Sequence, residues 1–106
     1  MHEVVYNVTV SVDPVSSEEW LNWMRTEHIP DVLSTGLFLR SQIMRIEGYE
    51  ENGVTYAIQY TLASRQHLDR YQQEFAPALQ QKHAEKFGDK ALAFRTVLEI
   101  IEKFHD

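Results

Sequence analysis

Residues 16–36 read SSEEWLNWMRTEHIPDVLSTG, and they have the pattern of an amphipathic helix with an ionisable residue on its apolar side. At 3.6 residues per turn, Trp20, Met24 and His28 fall on one side of this helix. A histidine on an apolar stripe must find a hydrogen-bond partner, face a cavity or take part in chemistry. This segment therefore predicts both a core-packing helix and a candidate functional side chain.

The two ends of this helix carry different signals. Ser16 and Glu19 have the spacing of a capping box, and Val15 followed by Trp20 has the spacing of a hydrophobic staple, so we expect the helix to begin at Ser16. Pro30 lacks the N–H of a regular helical residue and disfavours helical angles in the residue before it. The helix should therefore kink or restart near Pro30.

The segments around this helix alternate between period two and period 3.6. Period-two alternation predicts four strands, over residues 4–12, 37–50, 54–62 and 91–103. A second helical pattern follows Ser64, which has the character of an N-cap, and Pro77 predicts that this stretch is kinked or split in two. The order β-α-β-β-α-β predicts a ferredoxin-like α+β sandwich, in which both helices cover one face of a four-stranded antiparallel sheet. Residues 1–106 are expected to form one domain.

The central hairpin allows a prediction of register. A two-residue turn would place charged side chains opposite the apolar face of the second strand. A three-residue Glu51-Asn52-Gly53 loop instead pairs Ile58 with Ile46 and Tyr60 with Met44, and we predict this pairing.

The face of the sheet that the helices leave uncovered should carry a mixture of small polar, amide and charged residues. By alternation it contains Asn7, Thr9, Ser11, Ile43, Arg45, Glu47, Ala57, Gln59, Thr61, Arg95, Val97, Glu99 and Ile101. Such a mixture is typical of a partly buried surface, either a wet dimer interface or a cavity wall, although an ordinary half-exposed sheet is the alternative. The candidate ligand-binding residues on this face are Asn7, Arg45, Gln59, Arg95 and Glu99. Arginine in a partly dry site suits an anion or carbonyl group, whereas pairing of these charges across a dimer is the competing interpretation.

Composition sets limits on the function. The chain has 106 residues, a net charge of −6 and no cysteine, so disulfides and thiolate metal sites are excluded. Its ten Lys and Arg residues are scattered, which argues against nucleic-acid binding. No apolar run approaches the ~20 residues that span a bilayer, and the opening residues do not resemble a signal peptide. We therefore expect a cytoplasmic protein that does not bind membranes.

Three strings of residues resemble a known family. They are YNVTVSVDP from Tyr6, EEWLNWMRTEHIPDVLSTGLF from Glu18 and EFAPALQQKHAEKFGDKALAFRTVLE from Glu74. They resemble a family of short bacterial proteins classed as a domain of unknown function. His-x-Pro late in the first helix, followed by a turn glycine and an aromatic residue, is similar more distantly to the dimeric α+β barrel proteins. The resemblance implies a homodimer whose two sheets face each other, but it implies no assigned activity.

His28 is the candidate catalytic residue, and it has three interpretations. It could donate to a carbonyl freed by Pro30 or pair with Glu27 or Asp31, or it could serve as a general acid or base beside a pocket. A metal-ligand role is disfavoured because Pro30 disrupts the spacing to Asp31, and we expect no metal site. His83 could approach His28 if the two helices pack side by side.

These patterns predict a homodimer that associates through the uncovered sheet face. Each subunit is expected to bind a small organic molecule in a sheet-lined cavity and to transform it without a cofactor. The alternative is a non-catalytic dimeric module whose polar face serves only subunit contacts.

Overall fold

A computed structural model of the chain describes residues 2–48 and 53–105. One antiparallel sheet contains the four strands in the order β2-β3-β1-β4. The strands are β1 (Val4–Val12), β2 (Arg40–Ile46), β3 (Val54–Leu62) and β4 (Ala91–Glu99). The helices are α1 (Ser17–Trp23), α2 (Ile29–Leu33), α3 (Arg65–Glu74) and α4 (Ala76–Phe87), and a π-helical turn (Met24–His28) joins α1 to α2. The ferredoxin-like α+β prediction is confirmed.

The first helix begins where predicted, with Ser16 at its N-cap position, but its capping interactions differ from the prediction. A 3₁₀ turn, Pro14–Ser16, precedes α1, and the carboxylate of Asp13 caps it by accepting from the Val15 N–H at 3.0 Å. The Ser16 side chain makes no capping hydrogen bond, and Val15 is 94% exposed, so the predicted capping box and staple are wrong. Pro14 stands at the first position of the turn, where its missing N–H costs nothing.

Both interior prolines act as predicted. Before Pro30 the helix widens into the π-helical turn, in which the Ile29 N–H bonds the Met24 carbonyl five residues back. Pro30 then lies in the first turn of α2, where no intrahelical N–H is required. The second helical stretch is likewise split at Phe75, so that Pro77 lies in the first turn of α4. Ser64 caps α3 by accepting from the His67 N–H at 3.4 Å, which confirms its predicted role.

The predicted register of the β2–β3 hairpin is wrong. Ile58 pairs with Ile43 and Tyr60 with Ser41, so β2 is displaced by three residues from the predicted pairing. The last β2–β3 pair is Ile46 with Thr55, which means that a connection longer than three residues joins the strands. The loop predicted at 51–53 includes residues 51 and 52, which lie outside the described residues. Because three is an odd number, the shift also exchanges the two faces of β2.

Strand β4 also presents the opposite face from the one predicted. Tyr6 pairs with Val97, and Val8 pairs with Arg95, so Arg95, Val97 and Glu99 share the helix-facing side with the buried residues of β1. Ile43 and Arg45 of β2 lie on that same side, while Glu47 and Ile101 lie beyond the ends of their strands. The uncovered face instead carries Leu92, Phe94 and Leu98. Asn7, Thr9, Ser11, Ala57, Gln59 and Thr61 occupy it as predicted.

The core lies between the helices and the even-numbered residues of β1 and β3. Its fully buried side chains include Trp20, Ile58, Leu62 and Leu68. Within the described residues, no helix is both long enough and apolar enough to cross a membrane.

Replacing Leu68 by alanine should lower the free energy of unfolding by about 2–5 kcal/mol, because it leaves a cavity beneath α3. Leu68 is completely buried, whereas Leu39 is 52% exposed and provides a matched control. Leu39→Ala should change the stability by less than about 1 kcal/mol. Urea unfolding of both variants measures this difference, and equal losses would contradict the described core.

Candidate functional site

A cavity lies between the helix layer and the helix-facing side of the sheet. Its walls combine strand residues Tyr6, Val8, Val10, Ile58, Tyr60, Ala93 and Arg95 with helix-layer residues Met24, His28, Tyr71, Gln80 and His83. The cavity volume is about 30 Å³, which is room for about two waters. Arg95 is the exposed member of this lining, so it marks the end at which the cavity meets solvent. The cavity therefore lies beneath the helices and not on the uncovered face of the sheet.

His28 reaches this cavity from the π-helical turn. Turns of this kind are rare and occur frequently at functional sites. The ring of His28 stacks on Trp23, with centroids 5.2 Å apart. Within the described residues its ring makes no hydrogen bond and no ion pair with Glu27 or Asp31, so the structural roles predicted for it are not observed. Burial lowers the pKa of His28 to about 4, and protonation of the neighbouring His83 would act in the same direction, although Asp31 acts in the opposite direction. His28 is therefore neutral at pH 7.

His83 projects from α4 into the same cavity, and its ring centroid lies 6.0 Å from that of His28. The indole N–H of Trp20 donates to Nε2 of His83 at 2.9 Å. Burial and the nearby Arg95 both lower the pKa of His83. The predicted approach of the two histidines is thus observed, and both are neutral near pH 7.

Three tyrosines bring phenol groups to the cavity. Tyr6 and Tyr60 come from neighbouring strands, with centroids 6.2 Å apart, and Tyr71 packs edge-on against Tyr6 at 6.0 Å. Burial raises the pKa of all three hydroxyls. Arg95 and Gln80 next to the Tyr6 hydroxyl act in the opposite direction on its pKa. These groups therefore remain protonated at neutral pH and can donate hydrogen bonds to a ligand.

Arg95 is the cation of the cavity. The ion pairs among the described residues are Glu3 with Arg40 and with Lys103, Arg65 with Asp69, and Arg70 with Glu74. Arg95 belongs to none of them, and the lining contains no carboxylate. A guanidinium without a carboxylate partner at the open end of the cavity is suited to an anionic oxygen.

The other ligand-binding residues predicted from the sequence are dispersed. Asn7 and Gln59 lie on the uncovered face, where Asn7 donates to Thr9 at 3.1 Å and Gln42 donates to Gln59 at 3.2 Å. Arg45 lines a separate groove at the β2 edge. Glu99 lies on the helix-facing side of β4 but outside the cavity lining. Of the predicted site residues, only His28 and Arg95 meet in one cavity.

Sequence reasoning missed Tyr6, Tyr60, Tyr71 and Gln80 as members of the site. The tyrosines were assigned to the core because they follow apolar periodicity. Their hydroxyl groups could have identified them, because a buried phenol needs a hydrogen-bond partner. A core that contains three tyrosines is therefore not purely apolar. Gln80 carried no distinguishing pattern.

Groups of three or more His, Asp or Glu side chains that could hold a metal ion are absent from residues 2–48 and 53–105.

Comparison with known proteins identifies relatives of this chain. The family model described as Domain of unknown function (DUF4286) matches residues 3–101. A dimeric ferredoxin-like protein from an uncultured marine organism has a TM-score of 0.72 and 12% identity, over 98% of this chain and 99% of that one. SnoaB, a cofactor-independent oxygenase from Streptomyces nogalater, has a TM-score of 0.72 and 12% identity, over 100% of both chains. A protein of the ethyl tert-butyl ether d family from Bacillus halodurans has a TM-score of 0.69 and 15% identity, over 92% of this chain and 99% of that one.

At these identities the likeness to solved structures establishes the ferredoxin-like fold and not an activity. The search among curated proteins gives no match. The resemblance noted in the sequence to a domain of unknown function is confirmed. The solved structures agree with the expected fold.

The stability of the protein should depend on the protonation of His28. Its pKa is about 4 in the folded state, against an ordinary value of 6.5. The unfolded chain therefore binds more protons between these values, and the free energy of unfolding should fall as the pH is lowered from about 6.5 to 4. His83 contributes in the same direction. Urea unfolding of wild type and His28→Gln across this range should show a shallower pH dependence in the variant, and equal slopes would contradict the prediction.

Proposed function

Because this chain belongs to the DUF4286 family, described as a domain of unknown function, we propose its function from the geometry of the cavity. The protein is a homodimer whose subunits each bind a small organic molecule between the helices and the sheet, with His28 as general base. The observation that carries this proposal is the convergence of His28, His83, Tyr6 and Arg95 on one cavity.

The groups of the cavity complement each other chemically. His28 is neutral at pH 7 and accepts a proton, and Arg95 stabilises the negative charge that forms on a ligand oxygen when the proton leaves. The tyrosine hydroxyls supply further donors around that oxygen. A planar molecule with a weakly acidic hydroxyl or an acidic carbon next to a carbonyl suits this arrangement. One fold relative, SnoaB, is described as a cofactor-independent oxygenase, which supports a reaction that protein side chains carry out without a bound cofactor.

The uncovered face of the sheet supports the homodimer. Leu92 and Phe94 are 64% and 65% exposed, and Met44 and Leu98 are also exposed on this face. These apolar residues lie on the two edge strands, Met44 on β2 and the other three on β4. Between and beside them lie mostly uncharged residues: Asn7, Thr9, Gln42, Thr55, Ala57, Gln59 and Thr96. Exposed apolar residues on a weakly charged sheet face are suited to an interface between subunits. A second copy of the same face, related by a two-fold axis, would cover it.

Light scattering should give a mass near twice the 12.4 kDa of the chain. Phe94→Asp places a charge among the exposed apolar residues of β4, between Leu92 and Leu98, and should produce monomers at micromolar concentration. Val15→Asp makes the same change at a site on the helical side that is 94% exposed, and it should remain dimeric. A monomeric wild type would overturn the dimer.

Benzoate is a suitable probe of the open end of the cavity, where Arg95 lies, because its carboxylate can pair with a guanidinium in a bidentate way while its ring stays at the opening. Arg95→Gln should weaken benzoate binding about 10- to 100-fold, as expected for the loss of a hydrogen bond to a charged group. Arg45→Gln, the matched control outside the cavity, should leave the affinity within about twofold. NMR titration measures both.

Two outcomes of this titration would overturn the binding proposal. One is equal weakening by the two variants, and the other is no binding of benzoate by the wild type. If the protein is dimeric but binds no benzoate, the non-catalytic dimeric module becomes the better description.

A further inference from the structure

Trp20 and His83 are joined by a hydrogen bond that affects how His83 can contact a ligand. The indole N–H of Trp20 donates to Nε2 of His83 at 2.9 Å. We propose that Trp20 is a positioning residue: it holds His83 in the tautomer that carries its proton on Nδ1, so that His83 offers a donor to an acceptor oxygen of the ligand. The ligand-binding part of this inference rests on the proposed function, whereas the tautomer itself does not.

The assignment of the tautomer follows from donor chemistry. The indole nitrogen of tryptophan only donates, so the Nε2 that faces it must be an acceptor. A neutral imidazole has one N–H, and the proton must therefore be on Nδ1. Trp20 is fully buried, so breaking this bond would leave its N–H without a partner in the core.

The surroundings keep His83 neutral and fix its ring. Burial and the positive charge of Arg95 both oppose a second proton on the imidazole, and the ring of His28 lies 6.0 Å away. Trp23 and Phe87 pack against the ring, with centroids at 5.9 and 5.7 Å. Trp20 is itself immobilised by packing on Tyr56 at 4.8 Å.

Nδ1 of His83 is available to a ligand. Within the described part of the chain, no protein group bonds this nitrogen. It is also not one of the buried polar atoms that lack a hydrogen-bond partner, so it is accessible. His83 and Arg95 line the same cavity, so two donors are presented there. Together they select a carbonyl, carboxylate or deprotonated hydroxyl oxygen. Among residues 2–48 and 53–105, His28 has no such partner. The two histidines therefore have different roles: His28 accepts a proton, and His83 donates a hydrogen bond.

The tautomer can be measured by NMR on protein with ¹⁵N-labelled histidine at pH 7, without any ligand. In the wild type, His83 should show a protonated Nδ1 and an unprotonated Nε2. In Trp20→Phe the constraint is removed, and the proton should move at least partly to Nε2. Trp23→Phe is the matched control, since Trp23 contacts the same ring without donating to it, and it should keep the wild-type tautomer.

A wild type with its proton on Nε2, or an unchanged tautomer in Trp20→Phe, would overturn the proposal. If Trp20→Phe fails to fold, His83→Ala provides a second test. The indole N–H resonance of Trp20 should shift and exchange faster in this variant, while that of Trp23 keeps its exchange rate. An unchanged Trp20 resonance would also overturn the proposal.

The ligand-binding part has its own readout. His83→Ala should weaken benzoate binding about 3- to 10-fold, as expected for the loss of one hydrogen bond. If benzoate does not bind to the wild type while the Nδ1–H tautomer is found, the proposed function fails and the role of Trp20 stands. If benzoate binds normally to His83→Ala, the donor role of His83 is wrong.

Discussion

A fully buried indole N–H needs an acceptor inside the core, and this requirement organises the helical layer. Trp20 on α1 finds its acceptor in His83 on α4, 63 residues further along the chain. The bond joins the first and last helices directly above the sheet, and aromatic packing of Trp23 and Phe87 around His83 continues the contact. His83 therefore both accepts the hydrogen bond that the buried indole requires and lines the cavity. Stability and site geometry depend on the same side chains, so the aromatic cluster cannot be exchanged for an aliphatic core without losing the site.

Much of the fold was predictable from local signals. Strand alternation in residues 4–12, the N-cap at Ser64 and the breaks at Pro30 and Pro77 depend on neighbouring residues alone, and each was confirmed. The register of β2 depends on how long its connection to β3 is, which the Asn52-Gly53 pair suggested wrongly. One odd-numbered displacement was enough to exchange its faces.

The faces of β4 were assigned incorrectly for a different reason. Both sets of alternating residues in this strand contain apolar side chains, and the more apolar set, with Leu92 and Phe94, was assigned to the helices. Assigning the more apolar set of residues to the helix-covered face is correct when solvent covers the other face of the sheet. It fails when the other face is itself suited to a second chain. Arg95 was therefore identified as a site residue on the wrong side, and its meeting with His28 could be recognised only in three dimensions.

The side chains of Phe94 and Arg95 project to opposite sides of a sheet that is a single backbone thick. Neighbouring codons therefore specify two unrelated surfaces, one apolar and one lining the cavity. Point substitutions can diversify the chemistry of either surface across a family while the other stays constant. Loss or gain of a single residue within β4 would move the residues of each surface to the other. Natural variation in the length of this chain should therefore be confined to its loops and ends.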